Sequence, residues 1–315
     1  MSFSEILRMV FPPKTDYTGD NIPDLTGKVA LVTGGNKGIG KEICHQLMRK
    51  NAKVYMAARD LTAADKAVDE LEQLTGKKAS VLPIDLSDFE SVKSAANKFL
   101  EQEKRLDILF NNAGILQADA TKLSKQGYEL TLAVNTMSPY LLTRLLLPTL
   151  QSTAATTGAP SRMVWTISAA PFFYKPGKLL PETFRLESRG NPPLGGNMMY
   201  AQSKSAATML AQNLAKQLKK DDGEVFILSI DPGGIDTDLF HETLRIRQWL
   251  QKKLLLSPIW KGALTPLYAG TASDVKTGQM YFPFARLGFF AEFTKDEKEQ
   301  KKFASWCDEQ IAPWL

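Results

Sequence analysis

Side chains that bind metals are scarce in this chain, which has only two cysteines and two histidines among 315 residues. Cys44 and Cys307 stand far apart, and neither has a second ligand at the short spacing that zinc sites use. His45 and His241 do not complete such a set, so the sequence predicts no metal centre. The low cysteine content also fits a reducing compartment, and we expect a cytoplasmic protein.

Long apolar runs and a strong excess of one charge sign are also lacking. The N-terminal apolar cluster, Ile6 to Phe11, ends at Pro12-Pro13 and is too short for a membrane span or a signal peptide. We therefore expect residues 1–26 to form an arm on the body of the protein or on another subunit, with transient membrane contact as the lesser alternative. The 39 basic residues are spread among 34 acidic ones, so a net charge of +5 predicts a mixed solvated surface and no nucleic-acid partner.

Short apolar or β-branched segments alternate with segments of helical periodicity from Lys28 onward. The predicted strands are 29–32, 53–57, 79–83, 106–110, 162–167 and 225–230, with a seventh at 279–282. The predicted helices are 40–50, 62–74, 88–103, 123–151 and 200–218. This alternation predicts an α/β fold, a doubly wound parallel sheet with helices on both faces, and the 43% apolar content is enough for one large core.

A glycine-rich turn follows the first predicted strand and reads Thr33-Gly34-Gly35-Asn36-Lys37-Gly38-Ile39-Gly40. Gly34 and Gly38 allow the backbone to approach a pyrophosphate, and Gly40 allows the next helix to pack on the sheet. Because that helix begins at the turn, its free N–H groups face the phosphates. Glycines also occur in turns that bind nothing, but the position between strand and helix favours a dinucleotide site.

The residues after the second predicted strand indicate which dinucleotide is bound. An NAD enzyme places a carboxylate there on the ribose 2′-hydroxyl, whereas this chain has Ala58 followed by Arg59. Arg59 can bind a 2′-phosphate, and Lys37 in the glycine turn supplies a second cation. We therefore predict NADP(H). The alternative is that both cations are merely solvated, with Asp60 neutralising one of them.

Further motifs follow in a characteristic order: Asn111-Asn112-Ala113-Gly114 after a strand, Asn135 in a helix, Ser168 after another strand, and Tyr200 and Lys204 in a long helix. Together they resemble the short-chain dehydrogenase/reductase family over residues 25–285. The arginine after the second strand and the long insert before Tyr200 make the chain most similar to retinol-dehydrogenase-like and carbonyl-reductase-like members. The resemblance implies a homo-oligomer, either a dimer or a tetramer.

Tyr200 and Lys204 support the resemblance through their own chemistry. Residues at i and i+4 share one helix face, so the ammonium can lie near the phenol. We expect this charge to lower the pKa of Tyr200 from its usual value near 10, which suits proton exchange with a carbonyl or alcohol oxygen. An isolated pair of this kind is more often a surface tyrosine beside a lysine stem.

Two further active-site roles are implied only by the resemblance. Ser168 corresponds to the serine that holds the substrate oxygen beside the tyrosine, although a serine at a strand end also caps turns. Asn135 corresponds to a residue that holds a helix and a water on a proton path through Lys204. Its alternative is a buried amide satisfied by backbone groups. Ser138 and Pro139 replace the glycine of many relatives, so helix packing near Asn135 is expected to differ.

The remaining cofactor contacts also rest on the resemblance. Asp85 and Leu86 match the adenine edge, and Asn111 to Gly114 match the turn beside the adenosine ribose. The loop after the sixth strand resembles the one that holds the nicotinamide amide, through the Ile235 backbone and the Thr237 hydroxyl, and we assign its Asp231 no catalytic role. The predicted cofactor-binding residues are Gly34, Asn36, Lys37, Gly38, Ile39, Gly40, Arg59, Asp85, Leu86, Asn111, Asn112, Ala113, Gly114, Tyr200, Lys204, Pro232, Gly233, Ile235 and Thr237.

These observations predict three parts: an arm at 1–26, a dinucleotide-binding catalytic domain at 27–290 and a helical tail at 291–315. Substrate-shaping loops are expected at 169–197, rich in Phe and Pro, and at 236–266. The segment from Phe240 to Trp260 is a lid, a dimer surface or a basic amphipathic helix on a membrane, and we favour the lid.

The predicted activity is NADP(H)-dependent hydride transfer at a carbonyl or alcohol carbon of a hydrophobic ketone, aldehyde or alcohol. We infer the substrate class from the insert before Tyr200, because its aromatic and methionine side chains can line an apolar pocket. These side chains can equally well form the core of a longer loop. A regulatory dinucleotide-binding protein without turnover is the alternative function, because a fold alone does not prove activity.

Overall fold

The computed structural model describes residues 11–116, 119–185, 194–218, 225–235 and 256–315. Its strands are β1 (Val29–Thr33), β2 (Lys53–Ala58), β3 (Ser80–Pro83), β4 (Ile108–Asn111), β5 (Ser161–Thr166), β6 (Val225–Ile230), β7 (Met280–Phe282) and β8 (Arg286–Leu287). They form one eight-stranded sheet in the order β3-β2-β1-β4-β5-β6-β7-β8. Neighbouring strands are parallel except β7 and β8, which are antiparallel. The predicted doubly wound α/β sheet is confirmed.

Helices cover both faces of the sheet, since its strands are apolar on both sides. They are α1 (Gly38–Arg49), α2 (Leu61–Thr75), α3 (Phe89–Gln102), α4 (Ser138–Thr157), α5 (Gly196–Leu218), α6 (Ile259–Thr271) and α7 (Glu297–Ile311). In β1, Leu31 packs into one core, with α3, α4, α5 and α7, whereas Ala30 and Val32 pack into the other, with α1, α2 and α6. The chain runs outward from β1 to β3 and returns to β4 on the opposite side of β1. The carboxyl ends of β1 and β4 therefore open the crevice in which such sheets bind ligands.

The described part of the predicted N-terminal arm packs on the body of the protein. Ile22 and Leu25 are buried, and the ring of Tyr17 meets that of Tyr268 edge-on at 5.1 Å. The Tyr17 hydroxyl is hydrogen-bonded to Thr271 in α6 at 3.2 Å. Among the described helices, none has the length and apolarity needed to cross a membrane.

The helix predicted at 123–151 is wrong at its start. Leu123 and Glu129 form an isolated antiparallel bridge, and Gly127 between them has a left-handed φ of +79°. Helical conformation begins at Leu130, where the Glu129 carboxylate accepts hydrogen bonds from the N–H groups of Thr131 and Leu132. The helix then continues beyond 151 to Gly158, whose left-handed backbone ends it.

The two predicted substrate loops contain more helix than expected. Residues 169–197 include 3₁₀ turns at Ala170–Phe173 and Pro181–Thr183, and α5 starts at Gly196 rather than at Tyr200. The end of the 236–266 segment belongs to α6, although Gly262, Thr265 and Pro266 are poor helix formers. Helix α6 forms because its apolar face is buried against the sheet. Residues 236–255, with most of the predicted lid, lie outside the described residues.

Candidate active site

The glycine turn between β1 and α1 has the shape of an anion cradle. Gly34 and Gly38 have left-handed φ values of +66° and +54°. A Cβ atom at Gly40 would lie only 2.1 Å from the Gly34 carbonyl oxygen, so no side chain fits there. At the start of α1, the side chain of the N-cap residue Lys37 does not cap the N–H groups of the first turn. The turn therefore fits the pyrophosphate of a dinucleotide.

Replacing Gly40 with alanine is expected to weaken dinucleotide binding at least tenfold, because the added methyl group must push the turn away from α1. Fluorescence titration with NADPH measures the loss. Gly195→Ala is the matched control, since a Cβ atom at Gly195 meets no atom of the described residues within 4 Å. Equal affinities of the two variants would contradict this account of the turn.

The turn after β4 lies directly against the glycine turn. The Thr33 hydroxyl accepts hydrogen bonds from the backbone N–H groups of Asn112 and Ala113, both at 3.0 Å. The Asn112 side chain in turn donates to the Thr33 carbonyl oxygen at 2.9 Å. Asn111 differs from its neighbours, because its buried side chain donates to Thr143 in α4. The structure thus brings the two predicted cofactor turns together, while the Asn111 side chain serves packing.

Arg59 and Lys37 follow adjacent strand ends on the same edge of the sheet. Thr33 of β1 is paired with Ala57 of β2, and both cationic residues come a few positions later. Ala58 is buried, whereas Arg59 and Lys37 are exposed. The Asp60 carboxylate caps α2 by accepting a hydrogen bond from the Ala63 N–H at 3.0 Å. That acidic group is therefore engaged with its own helix.

The predicted adenine-edge segment is anchored to its surroundings. The Asp85 carboxylate accepts hydrogen bonds from the N–H and hydroxyl groups of Ser87, at 2.9 and 2.7 Å. The Leu86 carbonyl oxygen accepts a hydrogen bond from the Ser138 hydroxyl at 2.6 Å. Ser138, one of the departures from the family pattern, thus ties the start of α4 to the end of β3.

Tyr200 and Lys204 lie on one face of α5, as their spacing predicts. The Lys204 Nζ is 5.8 Å from the centre of the Tyr200 ring and donates a hydrogen bond to the Thr166 carbonyl oxygen at 2.8 Å. This contact fixes the ammonium at the end of β5, two residues before Ser168. The Ser168 hydroxyl accepts a hydrogen bond from the Ala170 N–H at 3.0 Å. The Ser168 side chain also interacts with the Tyr200 phenol and acts to lower its pKa.

The pKa of Tyr200 differs from the sequence-based expectation. Burial raises it to about 12, the charge of Asp231 raises it further, and the interaction with Ser168 opposes this only in part. Burial also lowers the pKa of Lys204 to about 8, against the attraction of Asp231. For the chain alone, the predicted lowering of the Tyr200 pKa is therefore wrong, since desolvation of the phenol is the largest effect.

Asn135 lies in a single π-helical turn, Ala133–Met137, at the entry to α4. Its side-chain oxygen accepts a hydrogen bond from the Ile115 N–H at 2.8 Å, and its amide nitrogen donates to the Ile115 carbonyl oxygen and to the Ser203 hydroxyl. The side chain thus has backbone partners and links the turn after β4 to α5. A Cβ atom at Gly114 would lie 3.2 Å from both Asn135 Oδ1 and Lys204 Nζ, so glycine permits this close approach.

Asp231 is the residue whose environment sequence reasoning missed. It directly follows β6, is only 4% exposed, and accepts a hydrogen bond from the Gly233 N–H at 2.9 Å. Burial raises its pKa to about 6, opposed by that hydrogen bond and by Lys204. The available signal for a buried carboxylate is an acidic residue immediately after a strand that is apolar except for Ser229.

The loop after Asp231 is described as far as Ile235. Gly233 has a left-handed φ of +85°, and a Cβ atom there would lie 2.7 Å from Pro283. Ile235 is buried and forms a parallel bridge with Ser257. The predicted contact of Thr237 lies outside the described residues.

A doubly wound sheet with a glycine turn at its switch point defines a dinucleotide-binding protein. The sequence matches the family model for short chain dehydrogenases over residues 28–175. It is 39% identical to a short-chain dehydrogenase/reductase of Armillaria gallica over 96% of both chains. An oxidoreductase of Schizosaccharomyces pombe is 40% identical over 82% of this chain and 76% of its own.

Solved structures give the same result. The Pseudomonas aeruginosa RhlG/NADP active-site complex superimposes with a TM-score of 0.65 and 27% identity, over 82% of this chain and 95% of that one. A Mycobacterium paratuberculosis protein, at 24% identity, shares the fold with a TM-score of 0.74 over 95% of this chain and 98% of its own. The chain belongs to the short-chain dehydrogenase/reductase family of oxidoreductases.

Proposed function

We propose that this protein is an NADP(H)-dependent oxidoreductase that transfers a hydride between the nicotinamide and the carbonyl or alcohol carbon of a hydrophobic substrate, chiefly as a ketone or aldehyde reductase. The observation that carries the proposal is the convergence of Ser168, Tyr200 and Lys204 at the end of β5. Gly34, Gly38 and Gly40 would hold the pyrophosphate, while Arg59 and Lys37 would hold the 2′-phosphate.

Tyr200 is suited to act as the proton donor. Because burial keeps its pKa at about 12, the phenol carries its proton at neutral pH and can donate it to a carbonyl oxygen. The Ser168 hydroxyl, which interacts with the Tyr200 phenol, can hold that oxygen in place. Lys204, with a pKa of about 8, carries a positive charge at neutral pH and stabilises the phenolate that remains. The bound cofactor supplies the hydride.

The cofactor preference rests on the residues after β2. Ala58 offers no carboxylate to repel a phosphate. Asp60, the acidic residue that directly follows Arg59 in the chain, caps α2. The relative from Pseudomonas aeruginosa is described as an NADP complex, which agrees with this preference. Charge-assisted contacts of this kind each contribute about 1.5–3 kcal/mol, which corresponds to tenfold or more in affinity.

Arg59→Asp is expected to weaken NADPH binding at least tenfold and to leave NADH binding unchanged, because only NADPH carries the 2′-phosphate. Titrations followed by nicotinamide fluorescence measure both constants. Arg49→Asp is the matched control, because it changes the net charge of the protein equally. Arg49 lies at the C-terminal end of α1, at the other end of this helix from the glycine turn, and is paired with Asp20 at 3.2 Å. Equal losses for NADPH and NADH, or native affinity for both, would contradict the assigned role of Arg59.

The substrate class is proposed from the side chains beside Ser168. Ser168 borders a small cavity of about 10 Å³, which is otherwise lined mainly by apolar side chains. Phe172 contributes to this cavity and packs edge-on against Phe282 and Phe289, with ring centres 6.1 and 5.3 Å apart. Such walls favour an apolar ketone or aldehyde over a charged metabolite. The cytoplasmic location and the homo-oligomer remain predictions.

A further inference from the structure

Gln202 lies between Tyr200 and Lys204 on α5, and its amide is buried at 1% exposure. Its side-chain oxygen accepts hydrogen bonds from the Tyr174 hydroxyl and from the Leu180 N–H, both at 2.8 Å. Its amide nitrogen donates to the Thr183 hydroxyl at 2.7 Å. All three partners belong to one stretch of chain, residues 169–185, which we call the insert segment. One side chain of the Tyr200 helix thus holds the segment at three points.

The insert segment connects this anchor to the proposed site. It leaves β5 at Ser168, whose hydroxyl caps the 3₁₀ turn Ala170–Phe173. Phe172 in that turn borders the same cavity as Ser168. At its far end the segment is held by the body of the protein, since the Phe184 carbonyl oxygen accepts a hydrogen bond from the Glu129 N–H at 2.9 Å. Between these two ends, the Gln202 amide makes three hydrogen bonds that join the segment to α5.

The anchor depends on the amide itself. Gln202 uses its oxygen twice as an acceptor and its nitrogen as a donor, so an apolar residue at this position would leave the Leu180 N–H and the Tyr174 and Thr183 hydroxyls without these partners. Buried polar groups without partners are costly, so the segment would be expected to move until they find new ones. Phe172 would then lose its fixed position beside Ser168.

We propose that Gln202 is a specificity-determining positioning residue, which holds the insert segment against α5 and thereby fixes the apolar wall beside Ser168 for bulky hydrophobic carbonyl substrates. The choice of substrate rests on the proposed function, whereas the anchoring of the segment does not. Gln202 itself touches neither Tyr200 nor the proposed substrate position in this scheme. Its effect passes through the insert segment.

Trypsin cleavage of the Lys178–Leu179 bond measures the anchoring directly. Lys178 is exposed, and the bond lies one residue before Leu180, whose N–H is held by Gln202. We expect Gln202→Ala to raise the rate of this cleavage at least tenfold, followed by mass spectrometry of the released peptides. Gln212→Ala is the matched control, since Gln212 is a buried amide on the same helix that binds Thr294 instead. Cleavage at the native rate in Gln202→Ala would overturn the proposal.

Steady-state kinetics with decanal and propanal measure the specificity. In Gln202→Ala we expect KM for decanal to rise at least fivefold, with little change for propanal and an unchanged dissociation constant for NADPH. Faster cleavage with the same ratio of the decanal KM to the propanal KM as in the native chain would reduce Gln202 to a structural role and overturn the proposal.

If Gln202→Ala does not fold, Tyr174→Phe removes one hydroxyl of the anchor, and the same two measurements are made on this variant. A native chain that binds NADPH but reduces neither aldehyde contradicts the proposed function, while the cleavage rates still decide the anchor.

Discussion

Replacing Tyr200 with phenylalanine is expected to lower kcat at least about a hundredfold and to leave the NADPH dissociation constant within twofold of the native value. The substitution removes one hydroxyl group and keeps the ring that lies 5.8 Å from the Lys204 ammonium. The substitution removes the proposed proton donor, while the glycine turn and the cations proposed to bind the dinucleotide are unchanged. Turnover is measured as NADPH oxidation with hydrophobic aldehydes and ketones, and affinity by fluorescence titration.

Tyr17→Phe controls for the loss of a buried tyrosine hydroxyl, since Tyr17 binds Thr271 in α6, away from Ser168. Native turnover in this control, with loss in Tyr200→Phe, assigns the effect to the site. Turnover that survives in Tyr200→Phe would remove Tyr200 from the mechanism. NADPH binding without any turnover in the native chain would favour the alternative, a regulatory protein that kept the fold and lost catalysis.

Replacing Lys204 with methionine is expected to abolish turnover and yet to stabilise the folded protein. Lys204 is 3% exposed, and burial lowers its pKa from 10.5 to about 8. Since one pKa unit corresponds to about 1.4 kcal/mol, the buried ammonium costs roughly 3 kcal/mol at neutral pH. Methionine fills a similar volume without the charge. The Thr166 carbonyl oxygen loses its partner, so we expect a net gain of about 2 kcal/mol in the free energy of unfolding.

The gain in unfolding free energy of Lys204→Met should decrease as the pH rises. Between about pH 8 and pH 10.5 the folded state binds fewer protons at Lys204 than the unfolded state does, so the stability of the native chain rises with pH in this window. Lys204→Met lacks this contribution. Its advantage over the native chain should therefore be largest below pH 8 and shrink toward pH 10. Urea unfolding of both proteins across this range measures the difference, and an advantage that grows with pH would contradict a buried ammonium.

Several elements were predictable because their signals are local. Strand β6 matches its prediction at both ends, since Val225 to Ile230 is apolar except for Ser229 and almost entirely buried. The glycine turn and the shared helix face of Tyr200 and Lys204 were also predictable from the sequence, because each depends on backbone geometry or on helical spacing. The role of Arg59 stays a prediction.

Other features depend on contacts that a sequence does not display. Helix α6 contains Pro266 and Gly262, and only its packing on Ile235 and the sheet explains it. The raised pKa of Tyr200 results from burial, which spacing alone does not reveal. Gln202 reads as an ordinary residue between two active-site side chains, and its role as an anchor emerges only when residues 174, 180 and 183 are brought to it.

In the proposed reaction, a hydride passes from NADPH to the carbonyl carbon of a hydrophobic substrate, and Tyr200 supplies the proton. This reaction is tested most directly by incubating the native chain and Tyr200→Phe with NADPH deuterated at the transferring position of the nicotinamide and a mixture of hydrophobic aldehydes and ketones. We expect alcohols that carry one deuterium on the former carbonyl carbon, formed by the native chain and nearly absent with Tyr200→Phe. Tight NADPH binding with the same deuterium transfer in both proteins, or with none in either, would contradict it.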